Sequence, residues 1–225
     1  MSYSNHSAFF RKCLLAGLLF LFWPAPQAAA PNAEKLPQQA QARYGPSGVL
    51  AVNQWQEVLA GAKNLPETEQ ITRINDFFNR RITFLDDIEI WGKTDYWATP
   101  LETLGRGQGD CEDFSIAKYV SLRSLGVPLD KLRLVYVRAQ IGGVSQAHMV
   151  LAYYPSPRAE PLILDNLIGD IRPASRRNDL FPVFSFNSEG LWVGSGPSEK
   201  AAGRATARLS RWRDLIARMR AEGIE

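Results

Sequence analysis

Beyond residue 30 the chain holds one cysteine, Cys111, and one histidine, His148. The whole chain has 225 residues with two of each, and the other two, Cys13 and His6, lie in a segment that does not read as fold. There Arg11 and Lys12 precede an apolar run from Cys13 to Phe22, Pro24 and Pro26 break it, and Ala28-Ala29-Ala30 follow. A basic start, a short apolar stretch and small residues predict a cleavable export signal over residues 1–30. The run is about half the roughly 20 residues that a bilayer span requires, so no stable membrane span is expected. Cys13 directly follows the basic pair and is not placed like a lipidated cysteine. An exported chain with one thiol cannot be stapled by an intrachain disulfide, so it must be held by its core. One Cys and one His cannot build a structural zinc site.

Losing Arg11 and Lys12 takes the formal charge from +3 to +1. That balance gives no electrostatic footprint for nucleic acid. A mature chain of about 195 residues is long enough for one well-buried domain with a helical annex.

The Pro-, Gln- and Ala-rich residues 31–48 read as a flexible mature N terminus. Val52, Trp55, Val58 and Leu59 then recur at helical spacing within 49–63. Asn64-Leu65-Pro66 opens a second helix, with Ile71, Ile74, Phe77, Phe78 and Ile82 as its apolar stripe. The aromatic-dense segment 84–100, carrying Asp86-Asp87, is expected to be a loop or short hairpin. Gly105 to Gly109 reads as a flexible glycine-rich stretch, and a helix follows from Cys111 to Leu125, stopped at Gly126. Strands are expected over 132–139, 144–154 and 161–167, the last nearly all apolar and so central in its sheet. Segments 181–186 and 191–193 read as a hairpin. Residues 49–195 thus form the main domain, and an amphipathic helix over 198–221 closes the chain within the C-terminal segment 196–225. Leu209, Trp212, Leu215, Ile216 and Met219 form its stripe, with Arg204, Arg208, Arg211, Arg218 and Arg220 mostly on a solvated face. Helices followed by a run of antiparallel strands make an α+β fold.

Cys111 opens a helix, where the partial positive charge of the N terminus favours a thiolate. His148 is the one imidazole available as a base. In an unbulged hairpin turning between Ser156 and Pro157, Asp165 stands directly opposite His148, with Cβ atoms about 5 Å apart. A carboxylate there fixes the tautomer of the ring and leaves its other nitrogen for the thiol, the geometry of a Cys-His-Asp triad. A one-residue bulge would break that pairing. Asp110, Glu112 and Asp113 surround the thiol. They fit helix capping, with Asp110 as N-cap and the other two favourable to the dipole. Yet three anions beside a thiol oppose its ionisation. A bound cation resolves the conflict; hard oxygen ligands suit Ca²⁺ or Mg²⁺, and exported proteins meet abundant calcium.

Gly109-Asp110-Cys111-Glu112-Asp113-Phe114, Ala147-His148-Met149-Val150-Leu151 and Leu164-Asp165-Asn166, with Trp97-Ala98-Thr99-Pro100, resemble the bacterial transglutaminase-like cysteine peptidases. The likeness is nearest to their periplasmic, calcium-dependent, adhesin-cleaving members and spans about residues 49–195. It implies a papain/transglutaminase-like fold, a helical lobe whose nucleophile helix packs on an antiparallel sheet. It implies Cys111 as nucleophile, His148 as base and Asp165 as its orienter, with Asp110 and Glu112 as calcium ligands and Asp113 as a third. It further implies cleavage of a large surface adhesin at a di-alanine site near its N-terminal region, releasing the adhesin and dispersing biofilm. An inner-membrane receptor for cyclic di-GMP would sequester the protease. The same triad also suits a transglutaminase-type acyltransferase, and an inert Cys111 would suit a non-catalytic periplasmic binding module.

Overall fold

The computed structural model describes Met1 and residues 34–156, 158–193 and 205–224, with side chains in the last segment from residue 210. The expected export signal lies, apart from Met1, outside the described residues, as do Pro157, the Gly/Ser/Pro link and the side chains of Arg204, Arg208 and Leu209.

Helix α1 runs over Lys35–Ala62 and α2 over Glu67–Arg81, with Pro66 just outside the first turn of α2. A two-residue strand β1 (Thr83–Phe84), the short helix α3 (Asp87–Trp91), α4 (Pro100–Arg106) and strand β2 (Gln108–Gly109) lead to α5 (Cys111–Ser124). The sheet strands are β3 (Leu132–Ile141), β4 (Val144–Tyr153), β5 (Leu162–Leu164), β6 (Arg172–Pro173), β7 (Leu180–Phe186) and β8 (Leu191–Val193), and α6 (Ala205–Glu222) closes the chain. The order across the sheet is β6-β5-β4-β3-β7-β8, and every neighbouring pair is antiparallel.

The expected α+β arrangement is present, with four differences. Residues 35–48 are helical. They form the first half of α1, kinked at Gly45, with Leu36 and Ala40 buried. Their partner is α6: Lys35 Nζ donates to Ala221 O at 2.7 Å and Gln39 Nε2 to Glu222 O at 3.0 Å. A polar, Pro-containing stretch is ordered here by a distant helix, which no local pattern encodes.

Residues 105–109 are also fixed. Gly107 ends α4, and β2 pairs parallel with β1. Gly109 is required by close approach: a Cβ there would sit 2.9 Å from Asp113 Cβ and 3.3 Å from Thr103 Cγ2. Within 84–100 the acidic pair opens α3, with Asp86 at the N-cap and Asp87 the first helical residue. Finally, the strand expected over 161–167 is β5, three residues long and second from the sheet edge, so apolar content did not signal a central position.

Helix α5 is the hub. Every residue from Asp113 to Leu122 is buried, because α2 and α4 cover one side and the sheet the other. Its small residues make this close fit workable: Trp55 of α1 reaches in to donate from Nε1 to Ser121 Oγ at 2.8 Å. The main core joins the helices to one sheet face through Leu132, Leu134, Met149, Leu151, Leu164 and Phe186. Val135, Val137, Val150, Ala152 and Ile163 form a smaller core on the other face, as strand alternation requires.

Candidate active site

Cys111 is the first residue of α5, partly exposed. The β4–β5 ladder stops at Leu151↔Leu164. Two residues before that end of the ladder, Met149 gives its backbone to α5 instead: its C=O accepts from Ser115 Oγ at 3.0 Å. The short β5 therefore leaves β4 unpaired on that side at Met149, where α5 packs.

His148 Nε2 and Asp165 Oδ1 are 2.8 Å apart, both side chains buried. The ladder register differs from the simple hairpin. Pairs such as Ala152↔Ile163 place Asp165 level with Val150 rather than with His148. The shift is two residues, and a two-residue slip keeps a side chain on its face. Asp165 thus meets His148 on the diagonal. With Nε2 bound to the carboxylate, Nδ1 is the ring nitrogen left for the thiol.

Asp165 has a partner that sequence reasoning missed. Arg177 Nη2 donates to Asp165 Oδ2 at 2.6 Å and to Asp179 Oδ2 at 2.8 Å, and only 2% of Arg177 is exposed. The Leu167 amide donates to Oδ1 at 3.1 Å, and Asn79 Nδ2 of α2 donates to the Asp165 carbonyl at 2.8 Å. Burial pushes the Asp165 carboxyl up, but bonding and charge from His148 and Arg177 outweigh it and hold it at about 2. It is a fixed anion, as an orienter of imidazole must be. The only sequence signal for Arg177 was a charged pair, Arg176-Arg177, after an apolar strand.

The acidic residues around the thiol form a pocket larger than the motif. One oxygen each from Asp87, Asp110 and Asp113 lie within 4.8 Å of one another, as do those of Asp87, Asp95 and Glu112. Asp110 occupies the N-cap position of α5, yet its side chain caps nothing, and its Oδ1 has no hydrogen-bond partner. Asp113 is fully buried; Oδ1 accepts the Ala98 amide at 2.7 Å, while Oδ2 is unpartnered. Asp87 Oδ1 and Asp95 Oδ1 are also buried without partners. Asp87 and Asp95 were not anticipated as members; the pair Asp86-Asp87 was the one trace of the first.

Burial and neighbouring negative charge lift Asp87, Asp110 and Asp113. Burial first, then Glu112, Asp113 and Asp87, push the Asp110 carboxyl to about 10. Burial raises Asp87 to about 6 despite its bond from the Tyr96 amide. Asp113 is raised well above the carboxylate range, chiefly by burial. Burial, then Glu112 and Asp110, push the Cys111 thiol up as well. The thiol donates to Glu112 Oε2 at 3.0 Å rather than to His148. Buried carboxylates this close are stable as anions only with a positive charge among them. The all-oxygen donor set, with orphaned oxygens on Asp87, Asp95, Asp110 and Asp113, fits a hard divalent cation and not a soft metal.

No helix among the described residues is long and apolar enough to cross a membrane. No curated protein sequence matches the chain. Three solved structures of Legionella pneumophila LapG are similar to it. The EGTA-treated form is 40% identical, covers 85% of this chain and 100% of its own, and superposes with a TM-score of 0.72. The calcium-bound form is 41% identical over 83% of this chain and 98% of its own, with a TM-score of 0.71. Residues 53–193 match the family model described as bacterial transglutaminase-like cysteine proteinase. On that match, and on the transglutaminase-like fold that carries it, the chain belongs to the bacterial transglutaminase-like cysteine proteinases.

Proposed function

We propose that the protein is a calcium-dependent cysteine endopeptidase acting in the periplasm, with Cys111 as nucleophile, His148 as base and Asp165 as orienter. The observation that carries this reading is the buried His148–Asp165 bond of 2.8 Å, one residue from Met149, whose carbonyl is held by Ser115 of the helix that Cys111 opens. His148 Nδ1 takes the Sγ proton as the thiolate attacks the scissile carbonyl carbon. The backbone N–H of Cys111 helps to hold the oxyanion, with Gln108 as a second donor. When the C–N bond breaks, the imidazolium returns its proton to the leaving amine. Water, deprotonated by the same nitrogen, then hydrolyses the thioester and frees the carboxyl product and the thiol. Asp165 keeps Nε2 as the hydrogen-bonded nitrogen throughout and stabilises the positive ring.

Calcium is the cation proposed for the acidic pocket, by analogy with the calcium-bound relative. Asp110, Glu112 and Asp113, joined by Asp87 and Asp95, would hold it. Bound there, it supplies the positive charge that offsets the carboxylates crowding the thiol. The proposed substrate is a large surface adhesin, cut at a di-alanine site near its N-terminal region. Release of the adhesin would disperse biofilm. The proposed sequestering partner is an inner-membrane receptor that senses cyclic di-GMP. These three assignments rest on the family resemblance of the motifs.

The test is incubation of recombinant adhesin N-terminal fragments with the mature protein, with and without EGTA, read by mass spectrometry. Cleavage at one site, lost with EGTA and in Cys111→Ala, is expected. A fully active Cys111→Ala variant sinks the nucleophile assignment. Undiminished cleavage in EGTA removes the metal, and amine incorporation without hydrolysis would make the protein an acyltransferase.

A further inference from the structure

The basic face of α6 is not merely solvated. Arg218, in the second half of the helix, reaches across to the segment that borders the acidic pocket. Nη2 donates to the Trp97 carbonyl at 2.5 Å, and Nη1 donates to Tyr96 Oη at 3.1 Å and to Glu102 Oε2 at 2.5 Å. Nε is held by Asp214 Oδ2 at 3.0 Å, which aims the fork. Arg211 forms an ion pair with Asp95 Oδ2 at 2.6 Å. The apolar side of α6 docks on the same region: Trp212 meets Phe186 edge-on at 5.5 Å, and Trp97 stacks on the same ring at 5.6 Å.

The segment so gripped, residues 95–98, serves the pocket at three points. Asp95 contributes a carboxylate to the cluster with Asp87 and Glu112. The Tyr96 amide donates to Asp87 Oδ2, and the Ala98 amide to Asp113 Oδ1 at 2.7 Å. Of this segment Asp95 is the residue whose own carboxylate must be held beside others of the same sign, those of Asp87 and Glu112. The contacts from α6 hold it there. Arg218 touches no pocket oxygen itself. It holds the backbone from which two amides and one carboxylate project.

We propose that α6 is a strut for the cation site, with Arg218 as the positioning residue that keeps residues 95–98 against Asp87 and Asp113, so that calcium binding and α6 docking reinforce each other. This deepens the calcium reading above and rests on it. Coupling of two such events is reciprocal: whatever factor docking adds to calcium affinity, calcium adds to docking. The C-terminal helix, which lies outside the matched family region of residues 53–193, thereby gains a role in the site.

The test uses the full mature chain stripped of metal. Calcium affinity is measured by calorimetry for the wild type, Arg218→Met and Arg218→Lys, and amide exchange over residues 210–224 is followed with and without calcium. Arg218→Met is expected to bind calcium at least about fivefold more weakly. Arg218→Lys, which keeps the charge but loses the fork, falls between and covers the case in which the methionine variant does not fold. Calcium is expected to slow exchange in α6 of the wild type. Equal affinities in wild type and variants, or α6 exchange indifferent to calcium, overturn the strut while leaving the calcium site standing. A wild type that binds no calcium overturns both.

Discussion

His148 and Asp165 meet just beyond the end of the β4–β5 ladder, Nε2 to Oδ1 at 2.8 Å, rather than as directly opposed residues. Past Leu164 the chain has left the strand, so the carboxylate is free to lean back toward the ring and also to take the Leu167 amide and Arg177. Asp165→Asn keeps the shape but offers an amide whose orientation no longer specifies the tautomer. Loss of kcat/KM on the order of 10³–10⁴ is expected, read on the adhesin fragment. An Asn variant within tenfold of wild type would remove Asp165 from the triad.

Asp165 also makes stability depend on acid. Its carboxyl is held at about 2 in the fold, against 3.8 unperturbed. A carboxyl with a lowered folded-state value contributes stability above the unfolded value and loses it as pH falls toward the folded one. About 2 kcal/mol should therefore be present at pH 6 and disappear between roughly pH 4 and pH 2. Urea unfolding as a function of pH measures it. Asp165→Asn should flatten that part of the profile.

Arg177→Met should be the more damaging change to the fold. It strips the buried Asp165 of one of its two side-chain partners and breaks an ion pair whose members are nearly inaccessible. Removing one partner of such a pair costs about 3–5 kcal/mol. Chemical denaturation at neutral pH reads the loss, and a change under 1 kcal/mol would mean that water replaces the guanidinium.

Gly109→Ala should cost about 1–3 kcal/mol, because the new methyl presses on Asp113 Cβ and on Thr103. Since Asp113 belongs to the acidic pocket, calcium affinity should fall with it. Thermal unfolding and calorimetry on one preparation separate the two effects.

Deleting residues 34–44 tests whether the first half of α1 is structural. It removes the burial of Leu36 and Ala40 and the Arg43–Glu222 pair at 2.7 Å. A loss of about 3 kcal/mol, or a Tm drop on the order of 10 °C, is expected. An unchanged Tm would return this segment to the status of a loose leader.

The parts legible in the sequence were those with a local rule. Helical spacing located α2 and the second half of α1, β-branched and aromatic runs located β3 and β4, the turn residues 187–190 located the β7–β8 hairpin, and Cys111, His148 and Asp165 stood out by scarcity and parity. The hairpin register was off by two, which happened to preserve the face. What stayed hidden depended on distance along the chain. Leu36 and Ala40 sit among polar residues and are buried in a helix that packs on α4 and α6, the latter some 180 residues later in the chain. Arg177 reads as a surface charge until Asp165 is folded against it. Asp87 and Asp95 read as loop acids until α3 and the 95–98 segment close on α5. The basic face of α6 likewise looked solvated because an Arg on a helix gives no sign of what lies across from it.

Chains commonly fray first at their ends, where opening is cheapest. Here Lys35, Gln39 and Arg43 of α1 fasten onto Ala221 and Glu222 of α6. Peeling back either of these outer helices therefore breaks the contacts of both. Their local opening should approach the cost of opening the domain, so a protease should find its first cut in a connecting loop such as residues 166–170 rather than in α1 or α6.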